Sequence, residues 1–213
     1  MKLTTEMMRL YAVTDRSWLR GQTLLEQVEQ ALVGGATLVQ LREKELDEDT
    51  FMREAVDMAK LCHRYGVPLL INDNVEIAIQ CGADGIHVGQ EDMAAGAVRA
   101  LVGDRMMIGV SVHTVEEAIE AVKNGADCLG VGAMFSTSTK LDADVLPMQT
   151  LSDICHAVDI PVVAIGGLNK NNIAKLAGTG VDGVALVSAI FAAEDIESEC
   201  RELARISGEM VNA

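Results

Sequence analysis

Four short modules of one design punctuate the chain and constrain its fold more than anything else in it. Gly35-Ala36-Thr37-Leu38-Val39, Gly82-Ala83-Asp84-Gly85-Ile86, Gly125-Ala126-Asp127-Cys128-Leu129 and Gly180-Val181-Asp182-Gly183-Val184 each open on a glycine, turn briefly and enter an apolar strand. Glycine suits the left-handed backbone that ends a helix, and so short a loop is a normal αβ connection. The modules therefore read as stacked βα units. Strands are predicted near residues 9–14, 36–42, 68–72, 85–89, 107–112, 128–134, 161–166 and 183–188. Amphipathic helices lie between them, such as Thr23–Val33, Asp49–Tyr65 and Thr114–Lys123, where apolar residues recur at helical spacing. Thr114 with Glu117 matches an N-terminal capping box. These alternations, without a linker, predict an α/β chain forming one (β/α)8 TIM-barrel domain over residues 1–213, with its site at the C-terminal strand ends. A doubly wound open sheet competes, but it usually carries a Gly-rich turn after the first strand, and Ala12-Val13-Thr14-Asp15 shows no G-x-G-x-x-G.

Composition narrows the partners. An apolar fraction of 49% with 19 Gly and 3 Pro describes a compact chain rather than a disordered one. A net charge of −15 repels nucleic acid and anionic membrane, so small-molecule substrates are the expected partners and any local cationic cluster becomes more telling. The reading admits a homo-oligomer. The five cysteines contain no C-x-x-C pair and read as buried thiols in a reducing cytosol. The opening MKLTTEMMRLYAVTD lacks the apolar core of a signal peptide, and Val181 to Ala193 is too short to span a bilayer and contains Asp182. A cytoplasmic location is expected.

Polar residues gather where the strands run out, which in a parallel barrel is one common mouth. Side chains alternate along a strand, so Gln40, Arg42 and Lys44 share the inward face while Val39 and Leu41 face the helices. Asn72-Asp73 ends the third strand and Asp92 follows the fourth. Neighbouring strands lie about 4.8 Å apart, so two carboxylates there could meet one hard cation. Both also precede a helix and could equally be N-caps. Gly109, Ser111, Gly130, Gly132, Ala164 and Gly166 read as small residues leaving room for a ligand. Gly166-Gly167 and Val187-Ser188 occupy the usual barrel phosphate position. Ser136 to Lys140 begins a long connection to Pro147, either a phosphate-binding lid or a flexible polar loop. His87 reads as a structural inward histidine and His113 as a strand-end one; either could serve as an acid–base group. Cys62-His63 reads as a surface or packing pair. No catalytic triad or zinc spacing is present.

Over nearly its whole length the chain resembles the thiamine-phosphate synthase family. The resemblance is carried by LYAVTD at 10–15, QLREK at 40–44, IND at 71–73, GIHVGQED at 85–92, SVH at 111–113, TSTK at 137–140, AIGG at 164–167 and VSAI at 187–190. It implies a barrel transferase of thiamine biosynthesis. Such an enzyme joins 4-amino-2-methyl-5-hydroxymethylpyrimidine diphosphate to a thiazole phosphate and releases pyrophosphate with Mg2+. Arg42, Lys44, Asn72 and Lys140 would then hold the diphosphate, and Asp73 and Asp92 the magnesium. Gln40, Ser111 and Tyr11 would contact the pyrimidine, and Thr137, Thr139, Gly167, Val187 and Ser188 the thiazole phosphate. Arg42, Lys44, Lys140 and Ser111 form the expected catalytic set. Ser136 stands where the family often has proline, and Asn74 where aspartate is common. The alternatives are a thiazole tautomerase-like enzyme, whose relatives tend to lack parts of this diphosphate and metal set, and a non-catalytic thiazole-phosphate-binding regulator.

Overall fold

A computed structural model describes residues 3–137 and 144–213, so the expectations for Ser138, Thr139 and Lys140 lie outside the described residues. The strands are β1 (Leu10–Val13), β2 (Leu38–Leu41), β3 (Leu69–Asn72), β4 (Gly85–Val88), β5 (Met107–Val112), β6 (Cys128–Val131), β7 (Val162–Ile165) and β8 (Gly183–Leu186). Each pairs in parallel with its sequence neighbour, and β8 returns to β1 to close an eight-stranded barrel. The predicted strands are all present. Most of the predicted spans overran at the mouth, where ladder pairing gives way to loops.

Around the barrel lie α1 (Leu24–Val33), α2 (Glu48–Arg64), α3 (Val75–Cys81), α4 (Ala95–Val102), α5 (Val115–Lys123), α6 (Met148–Ala157), α7 (Ser188–Phe191) and α8 (Ile196–Val211). Between β7 and β8 the expected helix shrinks to the 3-10 turn Ile173–Leu176. Asn172 accounts for this locally: its Oδ1 accepts the Asn169 N–H at 2.8 Å and its Nδ2 donates to the Gly167 carbonyl at 2.9 Å, bonds that compete with helix. The full capping box belongs to Thr23 and Glu26. Thr114 accepts from the Glu117 N–H, but the Glu117 carboxylate returns to His113 N–H at 2.6 Å instead, so the predicted box is half made.

Alternation splits the core into two layers. Tyr11, Val13, Leu38, Leu70, Met107, Cys128, Val163 and Ala185 fill the barrel interior, with Met8 of the 3-10 turn Thr5–Met8 buried against them. The opposite parity, including Ala12, Val39, Leu41, Ile71, Ile86 and Leu129, packs against the helices. Ala164 belongs to this outer layer, so its expected place at the mouth is corrected: Val163 and Ile165 are the inward residues of β7.

The glycine modules acquire a second function. The residue two places after each glycine sits just before an even-numbered strand and accepts a backbone N–H at the start of the preceding odd one. Thr37 Oγ1 takes Leu10 N–H at 2.9 Å, Asp84 takes Leu69 at 2.9 Å, Asp127 takes Ile108 at 2.8 Å and Asp182 takes Val162 at 2.8 Å. Four equivalent ties therefore pin the closed end of the barrel, and the repeat unit is a pair of strands. Asp84→Ala is expected to strand the buried Leu69 N–H and cost about 1–3 kcal/mol. Urea unfolding should show a lower midpoint at unchanged slope. A midpoint equal to wild type would show that the tie adds nothing to stability.

Candidate active site

The floor of the mouth is built from inward side chains of β1, β2, β4 and β5. Gln40, 4% exposed, donates from Nε2 to the Tyr11 hydroxyl at 2.7 Å. Tyr11 in turn meets His87 edge-on, ring centroids 6.3 Å apart. His87 Nε2 lies 3.0 Å from Ser111 Oγ, and Gln90 Nε2 donates to the Ser111 carbonyl at 2.7 Å. The sequence expectation of open space beside the inward glycines is corrected here. A Cβ on Gly109 would stand 2.4 Å from His87 Nδ1, and one on Gly130 would stand 3.4 Å from His87 Cε1. These glycines make room for an imidazole. Gly132 and Gly166 similarly permit backbone approach between the ends of β6 and β7, where a Cβ would meet Ile165 O at 2.1 Å and Ala133 Cα at 2.6 Å respectively.

Burial pulls the His87 imidazole down to about 4 against the weaker opposing pull of the Asp92 carboxylate, so the ring is neutral at ordinary pH. The free side chain titrates near 6.5. Between those values the unfolded chain binds the extra proton, so stability falls as pH drops through this window, by up to about 3 kcal/mol. His87→Gln should lack that component. Urea unfolding at pH 7.5 and 4.5 should therefore show a larger loss for wild type than for the variant. Equal losses would contradict a buried neutral ring.

At the rim, Lys44 Nζ donates to Asp73 Oδ2 at 2.5 Å, and the Asp73 and Asp92 carboxyls lie close enough for each to shift the other's titration. Burial pushes Asp73 up; the Lys44 ammonium opposes and the neighbouring Asp92 reinforces, leaving its carboxyl above the usual range. Burial raises Asp92 too, but bonds from Asp73 and the Gly89 N–H, with the Lys44 charge, outweigh it and leave Asp92 below that range. The capping alternative is excluded for both. Asn74 caps α3, accepting from Ile77 N–H at 2.9 Å, while Asp92 Oδ2 accepts from Gly89 N–H at 2.7 Å and α4 has Ala94 at its N-cap. Asp73 also holds a left-handed φ of 61°, a conformation that few residues other than glycine adopt.

Arg42 N–H donates to the buried Thr14 Oγ1 at 2.9 Å, and its guanidinium takes no ion pair among the described residues. Sequence reasoning missed the residue beside it. Glu43, 8% exposed, accepts from Arg16 Nε at 2.7 Å, and Arg16 also pairs with Glu54. This ion network ties the β1 and β2 loops together under Arg42 and Lys44. The available signal was parity: Glu43 shares the buried face of Val39 and Leu41, where a carboxylate must find a partner.

Asn72 is half-buried at the end of β3, paired in register with His87. Thr137, Gly167, Val187 and Ser188 are half-buried at the ends of β6, β7 and β8. Gly167 has φ 65° and lies so close to the Phe135 and Ser136 carbonyls that a Cβ would approach them within 2.6 Å. His113 is exposed, with Nδ1 3.3 Å from Glu117, away from the floor group. His63, read as surface or packing, reaches Asp84 at 2.9 Å at the opposite end of the barrel.

The chain matches the family model described as thiamine monophosphate synthase over residues 10–190. It is 47% identical to a thiamine-phosphate synthase of Clostridium tetani over 194 residues, covering 91% of this chain and 93% of the relative. With a thiamine-phosphate synthase of Ruminiclostridium cellulolyticum it shares 50% identity over 197 residues, covering 92% and 94%. Among solved structures it is similar to a thiamine phosphate pyrophosphorylase from Pyrococcus furiosus, with TM-score 0.89 and 38% identity over 97% of this chain and 98% of that one.

Proposed function

The chain belongs to the thiamine monophosphate synthase family, and on that premise we propose how its strand-end groups carry out the transfer. It is a transferase of the thiamine-phosphate synthase type, joining a hydroxymethylpyrimidine diphosphate to a thiazole phosphate with loss of pyrophosphate. The observation that carries the proposal is the contact chain Lys44–Asp73–Asp92 at adjacent strand ends, beside an Arg42 that takes no carboxylate partner among the described residues.

Two carboxylates in mutual contact, neither used as a helix cap, form a hard oxygen donor set that suits Mg2+. No third His, Cys, Asp or Glu joins them among the described residues, which fits a cation that takes its remaining ligands from phosphate and water. Asp73 and Asp92 would hold it, and when bound it supplies neutralisation of the leaving diphosphate. Arg42, Lys44 and Asn72 would orient and neutralise the same anion, with Lys140 assigned there from the family motif alone. Gln40 and Ser111, over the Tyr11 floor, would align the pyrimidine. Thr137, Thr139, Gly167, Val187 and Ser188 would hold the thiazole phosphate.

The displacement needs no strong base, because the attacking thiazole nitrogen already carries a lone pair. Ionisation of the pyrimidinyl C–O bond is instead limited by charge on the leaving group and by stray water, so aligned cations and an enclosed site are what the residues must supply. Free cysteines, four of them buried, support a cytoplasmic setting. No helix among the described residues is long and apolar enough to cross a membrane. The test is direct: purified protein incubated with both substrates and Mg2+ should form thiamine phosphate and pyrophosphate. Turnover of the thiazole phosphate alone would favour a tautomerase, and binding without product a regulator.

A further inference from the structure

We propose that His87 is a positioning residue that donates its Nε2–H to Ser111 and so compels the Ser111 hydroxyl to donate into the mouth. This rests on the synthase reading only for what the Ser111 proton meets there.

His87 is 7% exposed and held on several sides: the Tyr11 ring edge lies at 6.3 Å, and Gly109 and Gly130 lie against the imidazole where any side chain would crowd it. Its Nε2 stands 3.0 Å from Ser111 Oγ, while its Nδ1 is buried without a partner. Two neutral tautomers satisfy the first contact. If Nε2 accepts from the serine, Nδ1 carries the proton and a buried N–H is left with nothing to bond. If Nε2 donates, Nδ1 keeps only a lone pair against Gly109. An orphaned buried donor is the rarer arrangement, and leaving a buried polar group unmade is expensive, so the second tautomer prevails.

The consequence falls on Ser111. With one of its lone pairs occupied by the imidazole N–H, its own proton turns away from His87 toward the open side of the strand end. Gln90 Nε2 on the Ser111 carbonyl, at 2.7 Å, holds the backbone in register while it does so. A rotatable hydroxyl, able to accept or donate, becomes a fixed donor aimed at the bound substrates. Preorganisation of this kind lowers the barrier without adding ground-state affinity. His87 acts entirely through another group; it exchanges no proton with substrate.

Four measurements test this. Two-bond 1H–15N correlation spectra of 15N-histidine-labelled wild type should show His87 as the Nε2–H tautomer. An Nδ1–H tautomer would overturn the proposal, whatever the variants do. His87→Leu should lower kcat by roughly 10- to 100-fold, with KM for both substrates changed less than about threefold. His87→Gln, which restores an N–H donor, should recover to within about fivefold of wild type. In the Ser111→Ala background, His87→Leu should cost less than about twofold more, because the two act as one unit. Independent losses in the double variant, or no rescue by glutamine, would assign His87 a merely structural role. A wild-type protein that makes no thiamine phosphate would refute the functional reading instead, and the tautomer measurement would still decide the hydrogen bond.

Discussion

Asp92→Ala is expected to lower kcat/KM for the pyrimidine diphosphate by about two to three decades, since charge stabilisation worth several kcal/mol leaves the transition state. The fold should survive. Asp92 is exposed at the rim, and among the described residues its carboxylate accepts from the Gly89 N–H and lies beside Asp73. Asp92→Asn separates loop support from charge, because the amide oxygen can still accept from Gly89. Both variants should lose activity alike, and both should need higher Mg2+ for half-maximal rate. Turnover and metal dependence equal to wild type would remove Asp92 from the ligand set.

Arg42→Ala should cost roughly 100- to 1,000-fold in kcat/KM, the range seen when a preorganised charge-stabilising donor is removed. The backbone bond from residue 42 to Thr14 persists in the variant, and the Glu43–Arg16–Glu54 network beneath is untouched, so the loss should be chemical rather than structural. Its direction is informative. The defect should be read against the diphosphate substrate, and Arg42→Lys should recover only part of it, because an ammonium lacks the planar fork that grips adjacent phosphate oxygens. A defect confined to the thiazole phosphate would exchange the two proposed pockets.

Particular residues show how far local pattern reaches. The strands were legible because each is a short apolar run next to a turn signal, and α1 and α5 because Thr23 and Thr114 announce their starts. Gln40 was legible as an inward residue because alternation is a property of the strand alone. Asp73 and Asp92 were only half legible. Preceding a helix, each looked as much like a cap as a ligand, and the cap was removed only by Asn74 taking one and by the Asp92 carboxylate bonding back to Gly89. The glycines misled, because a missing Cβ says that something comes close without saying what, and here it is His87 or a neighbouring strand. Ala164 misled for a simpler reason: the one-residue step between Val163 and Ala164 exchanges the two faces of β7.

By itself the sequence determined the alternation of strand and helix, the closure it implies, and which residues stand at strand ends. Those features follow from spacing and composition within a few residues. Only the tertiary structure decided which of them touch: Lys44 with Asp73, Asp73 with Asp92, His87 with Ser111, and Glu43 with Arg16. The physical reason is that parallel strand pairing in the barrel brings groups 19 to 29 residues apart in the chain to one mouth, and burial then assigns charge, tautomer and hydrogen-bond direction to groups whose identity alone leaves them open.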